Sequence, residues 1–136
     1  KTAGAPAGGA DTQLTLVGHS VGCQTILRYL ESLPDGARVG RVVFVAPWFI
    51  LQNLETDEER AIAAPWITTP IDFAKVRTRA ESFSAFLSDN DPFVPIEPTA
   101  TILRGTLGAS VAVVQRRRHF SGEDGVNELP EILTVL

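Results

Sequence analysis

The sequence predicts an α/β fold in which a parallel sheet of about four strands lies between helices, a three-layer α-β-α arrangement. Two observations carry this prediction. Short apolar runs alternate along the chain with longer segments whose apolar residues recur at helical spacing. The apolar runs are also nearly continuous rather than alternating with polar residues, which is typical of parallel strands covered on both faces.

The composition is that of a soluble globular protein. The 136 residues, 44% of them hydrophobic, suffice for one domain with a buried core. The net charge of −4 disfavours nucleic acid and anionic membranes as partners. No apolar run approaches the ~20 residues that span a bilayer. Because Cys23 is the single cysteine, an internal disulfide is excluded, and we expect a reducing, cytoplasmic compartment.

The first part of the chain predicts a βαβ unit. Lys1–Asp11 is rich in glycine, alanine and proline, so we interpret it as a flexible lead-in to one domain over residues 12–136. Leu14–Val17 is a buried strand, and Val21–Ser32 has the apolar spacing of a helix. Arg41–Ala46 is a second buried strand, and a right-handed crossover joins the two.

The middle of the chain differs in composition. Residues 47–71 hold two tryptophans, two internal prolines and an acidic cluster, and we interpret them as a cap-like excursion. It contains one short helix near Glu55–Ala64, whose acidic residues Glu55–Glu59 form a solvated face. Asp72–Ala80 leads on from it as a helical segment.

The remaining elements repeat the alternation of strand and helix. Phe83–Ser88 is predicted as a third strand. Glu97–Leu107 is a helix with a proline in its first turn and a glycine past its end. Ser110–Gln115 is a fourth strand, and Asn127–Leu136 is a closing helix.

The junction of the first strand and first helix carries the motif Gly18-His19-Ser20-Val21-Gly22. Strand, Gly-x-Ser-x-Gly and helix in this order form the nucleophile elbow of an α/β-hydrolase, so the sheet is predicted to be of α/β-hydrolase type. Gly18 and Gly22 let strand and helix approach and leave room for substrate. Ser20 sits at the helix N-terminus, where the N–H of Val21 can contribute to an oxyanion hole.

Three residues suited to nucleophilic catalysis follow the ends of three different predicted strands. The carboxyl ends of parallel strands share one edge of the sheet, so we expect Ser20, Asp91 and His119 to meet there. A serine hydroxyl needs a base, and His119 is the candidate because His19 neighbours the serine in a sharp turn. Asp91 is chosen to orient the histidine because the order Ser, Asp, His is that of α/β-hydrolases; Asp89 is the alternative.

Further side chains are candidates for the substrate pocket. For Trp48, Phe49 and Trp66, plain packing in the core is the open alternative. For His19, which neighbours the elbow serine, a structural role beside the turn is the favoured interpretation. The predicted pocket residues are His19, Trp48, Phe49, Trp66 and Phe93.

Other chemistries have little support. We expect Cys23 to be a small packed residue rather than an activated thiol. Arg116–Arg118 is predicted to be a solvated strand exit, since one short basic run in an acidic protein is no nucleic-acid footprint. Cysteine and histidine do not cluster at metal-ligand spacing, and no glycine-rich phosphate loop occurs, so no metal or cofactor is expected.

Five stretches of the chain, from about Leu14 to the C-terminus, carry a specific resemblance. They are Leu16–Gly22, Val45–Phe49, Pro65-Trp66 with Pro70–Phe73, Ser88–Pro95 and His119–Gly125. Through them the chain resembles the retinoblastoma-binding-protein-9 / YdeN-like family of small α/β-hydrolase serine hydrolases. The resemblance implies the nucleophile at Ser20, the acid at Asp91 and the base at His119, in a cofactor-independent hydrolase of small esters or amides.

The chain departs from that family pattern in two ways. Arg118 stands where the family usually has glycine before the histidine. Members resembling this chain also carry a further N-terminal part, which supplies strands and a loop with the second oxyanion-hole N–H. Without that part the first strand would have an open edge, from which self-association is expected.

The sequence therefore predicts a carboxylesterase-like serine hydrolase whose partner is a small-molecule ester or amide. It would act through a Ser-His-Asp triad and an acyl-enzyme, with the N–H of Val21 in the oxyanion hole. The alternative is a catalytically weak or inactive hydrolase-derived binding module or fragment. The sequence that precedes Lys1 in the native gene would discriminate between the two.

Overall fold

A computed structural model describes residues 11–120, and they form a four-stranded sheet with every neighbouring pair parallel. The strands run in the spatial order β1-β2-β3-β4 and span Asp11–His19, Val39–Val45, Ala80–Ser88 and Ser110–Val114. Parallel strands flanked by helices confirm the predicted α/β class. The predicted lead-in, apart from Asp11, and the predicted closing helix lie outside the described residues.

Each crossover between neighbouring strands contains at least one helix, as parallel pairing requires. Helix α1 joins β1 to β2, α2 and α3 join β2 to β3, and α4 joins β3 to β4. The helices span Val21–Ser32, Asp57–Thr68, Phe73–Arg77 and Ile96–Leu107. The first three strands begin two or three residues before their predicted starts, because backbone pairing does not require apolar side chains.

The main core lies between the sheet and helices α1, α3 and α4. Leu16, Val42 and Phe44 point from the sheet into this layer and are at most 2% exposed. Leu30 of α1 and Leu103 of α4 pack against them and are fully buried. Burial of such side chains contributes about 1.5–3 kcal/mol each, so the helix-covered face anchors the strands and their loops.

The opposite face of the sheet is covered less completely by the described residues. Val43, Val45 and Phe86 form a smaller buried cluster there with Phe120. Val17 of β1 lies on the same face and is half-exposed. In the described part of the chain, no helix is long and apolar enough to cross a membrane.

Helix α2 extends beyond its predicted end at Ala64 and continues through Pro65 to Thr68. A proline inside a helix removes one hydrogen bond, so the extension needs support from elsewhere. Arg28 of α1 supplies it, because its guanidinium donates to the carbonyls of Trp66 at 3.3 Å, Thr69 at 2.6 Å and Pro70 at 2.7 Å. These bonds satisfy carbonyl groups at the helix end and tie the excursion to the core.

Candidate active site

The turn between β1 and α1 holds Ser20 in a strained backbone conformation. Its φ is 55° and its ψ is −119°, values that residues with a side chain seldom adopt. The Ser20 N–H donates to the Val45 carbonyl at 2.9 Å, which ties the turn to the neighbouring strand. Helix α1 begins at Val21, whose N–H has no acceptor within the helix because it lies in the first turn. The serine hydroxyl thus stands beside a helix N-terminus.

The two glycines of the motif have different roles. A Cβ on Gly18 would lie 2.8 Å from the Cδ1 of Ile26 and 2.9 Å from the backbone of Gly22. A Cβ on Gly22 would meet nothing within 4 Å. The close approach of strand and helix therefore requires glycine at position 18, and the predicted packing role of Gly22 is not supported among the described residues.

We expect Gly18→Ala to lower the free energy of unfolding by about 1–3 kcal/mol, because the backbone it would strike cannot move aside. Gly22→Ala is the matched control and should leave stability unchanged or raise it by up to about 1 kcal/mol through helix propensity. Urea unfolding of both variants measures the difference. Equal stabilities would contradict the assigned clash.

The structure brings Ser20, Asp91 and His119 together at the carboxyl edge of the sheet. The Nδ1 of His119 lies 2.8 Å from the Oδ2 of Asp91, and its Nε2 lies 2.8 Å from the Oγ of Ser20. With the ring proton on Nδ1, the imidazole donates to the carboxylate and accepts from the hydroxyl. The aspartate side chain is 2% exposed and that of the histidine 17%, so both bonds are largely shielded from water.

The loop after β3 explains why Asp91, and not Asp89, faces the histidine. The Oδ1 of Asp91 accepts from the N–H groups of Phe93 at 2.9 Å and Val94 at 3.2 Å, which leaves Oδ2 aimed at the imidazole. Asp89 instead points to the loop after β4, where its Oδ1 accepts from the Arg116 N–H at 2.8 Å. The two candidate acids of this loop thus have separate partners.

Three consecutive side chains, from the last residue of β3 and the two residues after it, hold the backbone of the histidine loop. The backbone N–H groups of residues 116–118 donate to these side chains in turn. Asp89 Oδ1 accepts from residue 116, Ser88 Oγ accepts from Arg117 at 3.0 Å, and Asn90 Oδ1 accepts from Arg118 at 2.8 Å. Arg118 has a φ of 48°, a left-handed conformation that favours glycine. That conformation gives a physical reason for a glycine preference at this position, and the Asn90 bond offsets part of the strain here.

Two rings lie close to the imidazole of His119. The ring of Phe93 is nearly perpendicular to it, with ring centroids 5.6 Å apart and an interplanar angle of 84°. The ring of His19 lies 5.4 Å from it between centroids, and the His19 Nε2 donates to the His119 carbonyl at 2.7 Å. The latter bond restrains the loop from the strand that precedes the serine, so His19 contacts the backbone of the site.

Trp48 follows β2 and reaches the same edge of the sheet. It is 4% exposed, and its indole Nε1–H donates to the Ser20 Oγ at 3.1 Å. The fully buried Gln24 of α1 donates from Nε2 to the Trp48 carbonyl at 2.7 Å. The segments that follow the four strands therefore contribute one side chain each to the cluster around the serine hydroxyl.

An open cavity of about 320 Å³ adjoins the hydroxyl. Of the predicted pocket residues, Trp48, Trp66 and Phe93 line it. Phe49 lies outside its lining and packs against Phe73 with ring centroids 5.4 Å apart, as part of the main core. His19 is outside it as well. No pattern in the sequence indicated the rest of the lining that the described residues provide, an apolar wall with an acidic residue, namely Leu51, Leu54, Ile62, Ala63 and Glu59.

The single cysteine takes no part in this cluster. Cys23 is fully buried, and burial raises the pKa of its thiol to about 12. A thiol with that pKa is protonated at neutral pH and is a poor nucleophile. Over residues 11–120, no group of three or more His, Cys, Asp or Glu side chains is arranged to hold a metal ion.

A protein-family model, a named relative and solved structures match this chain. A family model described as "Serine hydrolase" matches residues 7–136. YdeN of Bacillus subtilis (strain 168), which is named as a hydrolase, is 28% identical over 122 residues. The crystal structure of the ydeN gene product superposes with a TM-score of 0.77 at 26% identity, over 92% of this chain.

A second solved structure, described as a YdeN-like hydrolase from Pectobacterium atrosepticum, shares the fold with a TM-score of 0.59 at 20% identity over 90% of this chain. The chain spans 60% of the length of Bacillus subtilis YdeN, 64% of the crystallised ydeN product and 56% of the Pectobacterium protein.

Proposed function

The chain belongs to the serine hydrolase family, and on that premise we propose that it cleaves a small ester or amide through an acyl-enzyme. In this proposal Ser20 is the nucleophile, His119 the base and Asp91 the residue that orients the base. One observation carries it, the continuous chain of hydrogen bonds from the carboxylate through the imidazole to the hydroxyl, with 2.8 Å at each link. This is the donor and acceptor order that a serine nucleophile requires.

In the first half of the reaction, the Ser20 Oγ attacks the carbonyl carbon while its proton passes to the His119 Nε2. The electron pair of the C=O bond moves to the carbonyl oxygen, and the N–H of Val21 at the start of α1 donates to that oxyanion. The imidazolium that forms is stabilised by the Asp91 carboxylate. Collapse of the intermediate breaks the bond to the leaving group, which takes the proton from His119.

In the second half, water replaces the leaving group. His119 removes a proton from the water as it attacks the acyl carbon, and the oxyanion forms again beside Val21. The acyl–Oγ bond then breaks, and its electron pair returns to Ser20 together with the proton from the imidazolium. The products are a carboxylic acid and the regenerated hydroxyl.

The cavity beside Ser20 suits a neutral, apolar acyl group. Leu51, Ile62 and Ala63 give it an apolar wall, and its acidic residue, Glu59, lies on α2. The backbone N–H groups of Glu55 and then Thr56 lower the pKa of that carboxyl, so it is ionised at neutral pH. An anionic acyl group would be repelled by it, whereas a hydrocarbon chain would bury its surface against the wall.

The experiment that tests the proposed function is labelling of the folded chain with a fluorophosphonate probe, with the heat-unfolded chain as the control. We expect labelling of the folded chain alone, and peptide mapping should place the phosphonyl group on Ser20. Failure of the folded chain to label would contradict the proposal and favour the hydrolase-derived binding module.

Turnover of p-nitrophenyl esters should depend on acyl length. We expect kcat/KM to rise by severalfold per two methylenes from acetate to about octanoate, because each buried methylene is worth up to about 0.8 kcal/mol and the cavity holds roughly ten water-sized groups. Ala63→Leu places a larger side chain in the cavity wall and narrows the cavity, so the acyl length with the highest kcat/KM should become shorter. A flat dependence on chain length in both proteins would show that the acyl group binds elsewhere.

A further inference from the structure

The indole of Trp48 is a group near the proposed nucleophile that the reaction described above does not use. We propose that Trp48 is a catalytic residue, whose Nε1–H stabilises negative charge on the Ser20 Oγ during attack and departure. The inference rests on the proposed function, since it assigns a second partner to the same nucleophile. The contact that carries it is the 3.1 Å bond from the indole to the hydroxyl.

The hydrogen bonds of Ser20 Oγ in the described residues leave one site for attack. A hydroxyl has one donor and two acceptor positions. The donor is directed to the His119 Nε2 at 2.8 Å, and Trp48 occupies one acceptor position. The remaining lone pair is free for a carbonyl carbon. The indole therefore helps to set the rotamer in which the hydroxyl both gives up its proton and presents a lone pair.

The charge on Oγ changes in both halves of the reaction. As the proton leaves for His119 and before the bond to carbon is complete, Oγ carries partial negative charge. When the acyl–Oγ bond breaks in the second half, its electron pair returns to the same atom. A neutral N–H donor aimed at Oγ strengthens its bond as this charge grows and retains its own proton throughout.

Hydrogen bonds fix the backbone that carries the indole of Trp48 before substrate arrives. Ala46, two residues earlier, has a φ of 51° and donates its N–H to the Phe86 carbonyl at 2.9 Å. The buried amide of Gln24 fixes the Trp48 carbonyl at 2.7 Å. Because Gln24 belongs to the helix that starts right after Ser20, the donor and the nucleophile share one rigid support. A donor held in this way needs no rearrangement in the transition state.

The test replaces Trp48 with 3-benzothienylalanine, which has sulfur in place of the indole N–H and almost the same shape. Acylation is measured as the rate of fluorophosphonate labelling and as the p-nitrophenol burst, and deacylation as the steady rate that follows. We expect both rate constants to fall by about 10- to 100-fold, the worth of a hydrogen bond to a charged group, with little change in KM.

The same replacement at Trp66 is the matched control, because that residue lines the same cavity and is not a partner of the Ser20 hydroxyl. Loss of the Trp66 N–H should change KM rather than the rate constants of acylation and deacylation, because Trp66 contacts the bound acyl group and not the Ser20 hydroxyl. Rate constants within twofold of wild type for the Trp48 replacement would overturn the inference, and so would a change confined to KM, which marks a pocket wall.

A second measurement does not depend on activity of a Trp48 variant. The chain has two tryptophans, so its ¹H–¹⁵N spectrum contains two indole signals. Ser20→Ala removes the acceptor, and we expect the Trp48 indole signal to move upfield while that of Trp66 stays in place. An unmoved Trp48 signal would overturn the inference. A folded wild type that neither labels nor cleaves any ester would overturn the proposed function itself, and this inference with it.

Discussion

Ser20→Ala is expected to lower kcat for ester cleavage by about 10⁴- to 10⁶-fold and to abolish fluorophosphonate labelling. The variant removes the atom that would form the acyl-enzyme. Alanine fits the same backbone turn no worse than serine, so the fold should persist. Stopped assays with a chromogenic ester, together with a thermal melt, check both statements.

Ser82→Ala is the control for that measurement. Ser82 lies on β3, is exposed, and pairs in register with Arg41, away from the carboxyl edge of the sheet. Its loss should leave both labelling and turnover at the wild-type level. Labelling that persists in Ser20→Ala would mean that the reactive nucleophile is another residue, and the proposed role of Ser20 would be wrong.

Asp91→Asn is expected to lower kcat by about 10⁴-fold while the protein stays folded. The Asn Oδ1 can still accept from the N–H groups of Phe93 and Val94, as Asp91 does. In that orientation the new amide group would face the Nδ1 of His119 and would donate to it. The histidine proton would then reside on Nε2, which could no longer accept the proton of Ser20.

The neighbouring acid provides the matched comparison. Asp89→Asn keeps the Oδ1 that accepts from the Arg116 N–H, and it does not face the imidazole. We expect its kcat to stay within about threefold of wild type, as a substitution that preserves its hydrogen bond. If Asp89→Asn were the more damaging of the two, the assignment of the acid would pass to Asp89.

Much of the fold followed from patterns that are local in the chain. The apolar runs predicted all four strands, and the spacing after Ser20 predicted α1 with both of its ends. The resemblance to YdeN-like serine hydrolases is confirmed by the serine hydrolase family match over residues 7–136 together with the similarity to Bacillus subtilis YdeN in sequence and structure. The predicted end of α2 at Ala64 was wrong, because a proline usually stops a helix. Here the helix continues through Pro65, and the hydrogen bonds from Arg28 that support its end come from a distant part of the chain.

The candidate site likewise contains residues whose positions could be predicted from the sequence and residues whose directions could not. Ser20, Asp91 and His119 were predicted to meet because each follows the end of a parallel strand, and such ends share one edge of a sheet. The direction of Phe49 could not be predicted, since an aromatic residue after a strand can turn to the cavity or to the core. Only the packed chain shows its ring against Phe73.

The sequence by itself determined the order of strands and helices, the strained serine turn and the residue types that could perform acyl transfer, because these depend on neighbours along the chain. The tertiary structure decided which donor reaches which acceptor. The hydrogen bond from Trp48 to Ser20 joins residues that are distant in sequence. So do the hydrogen bonds that Ser88, Asp89 and Asn90 accept from the histidine loop. Their geometry depends on strand register and loop conformation to within an ångström, and no local pattern encodes that.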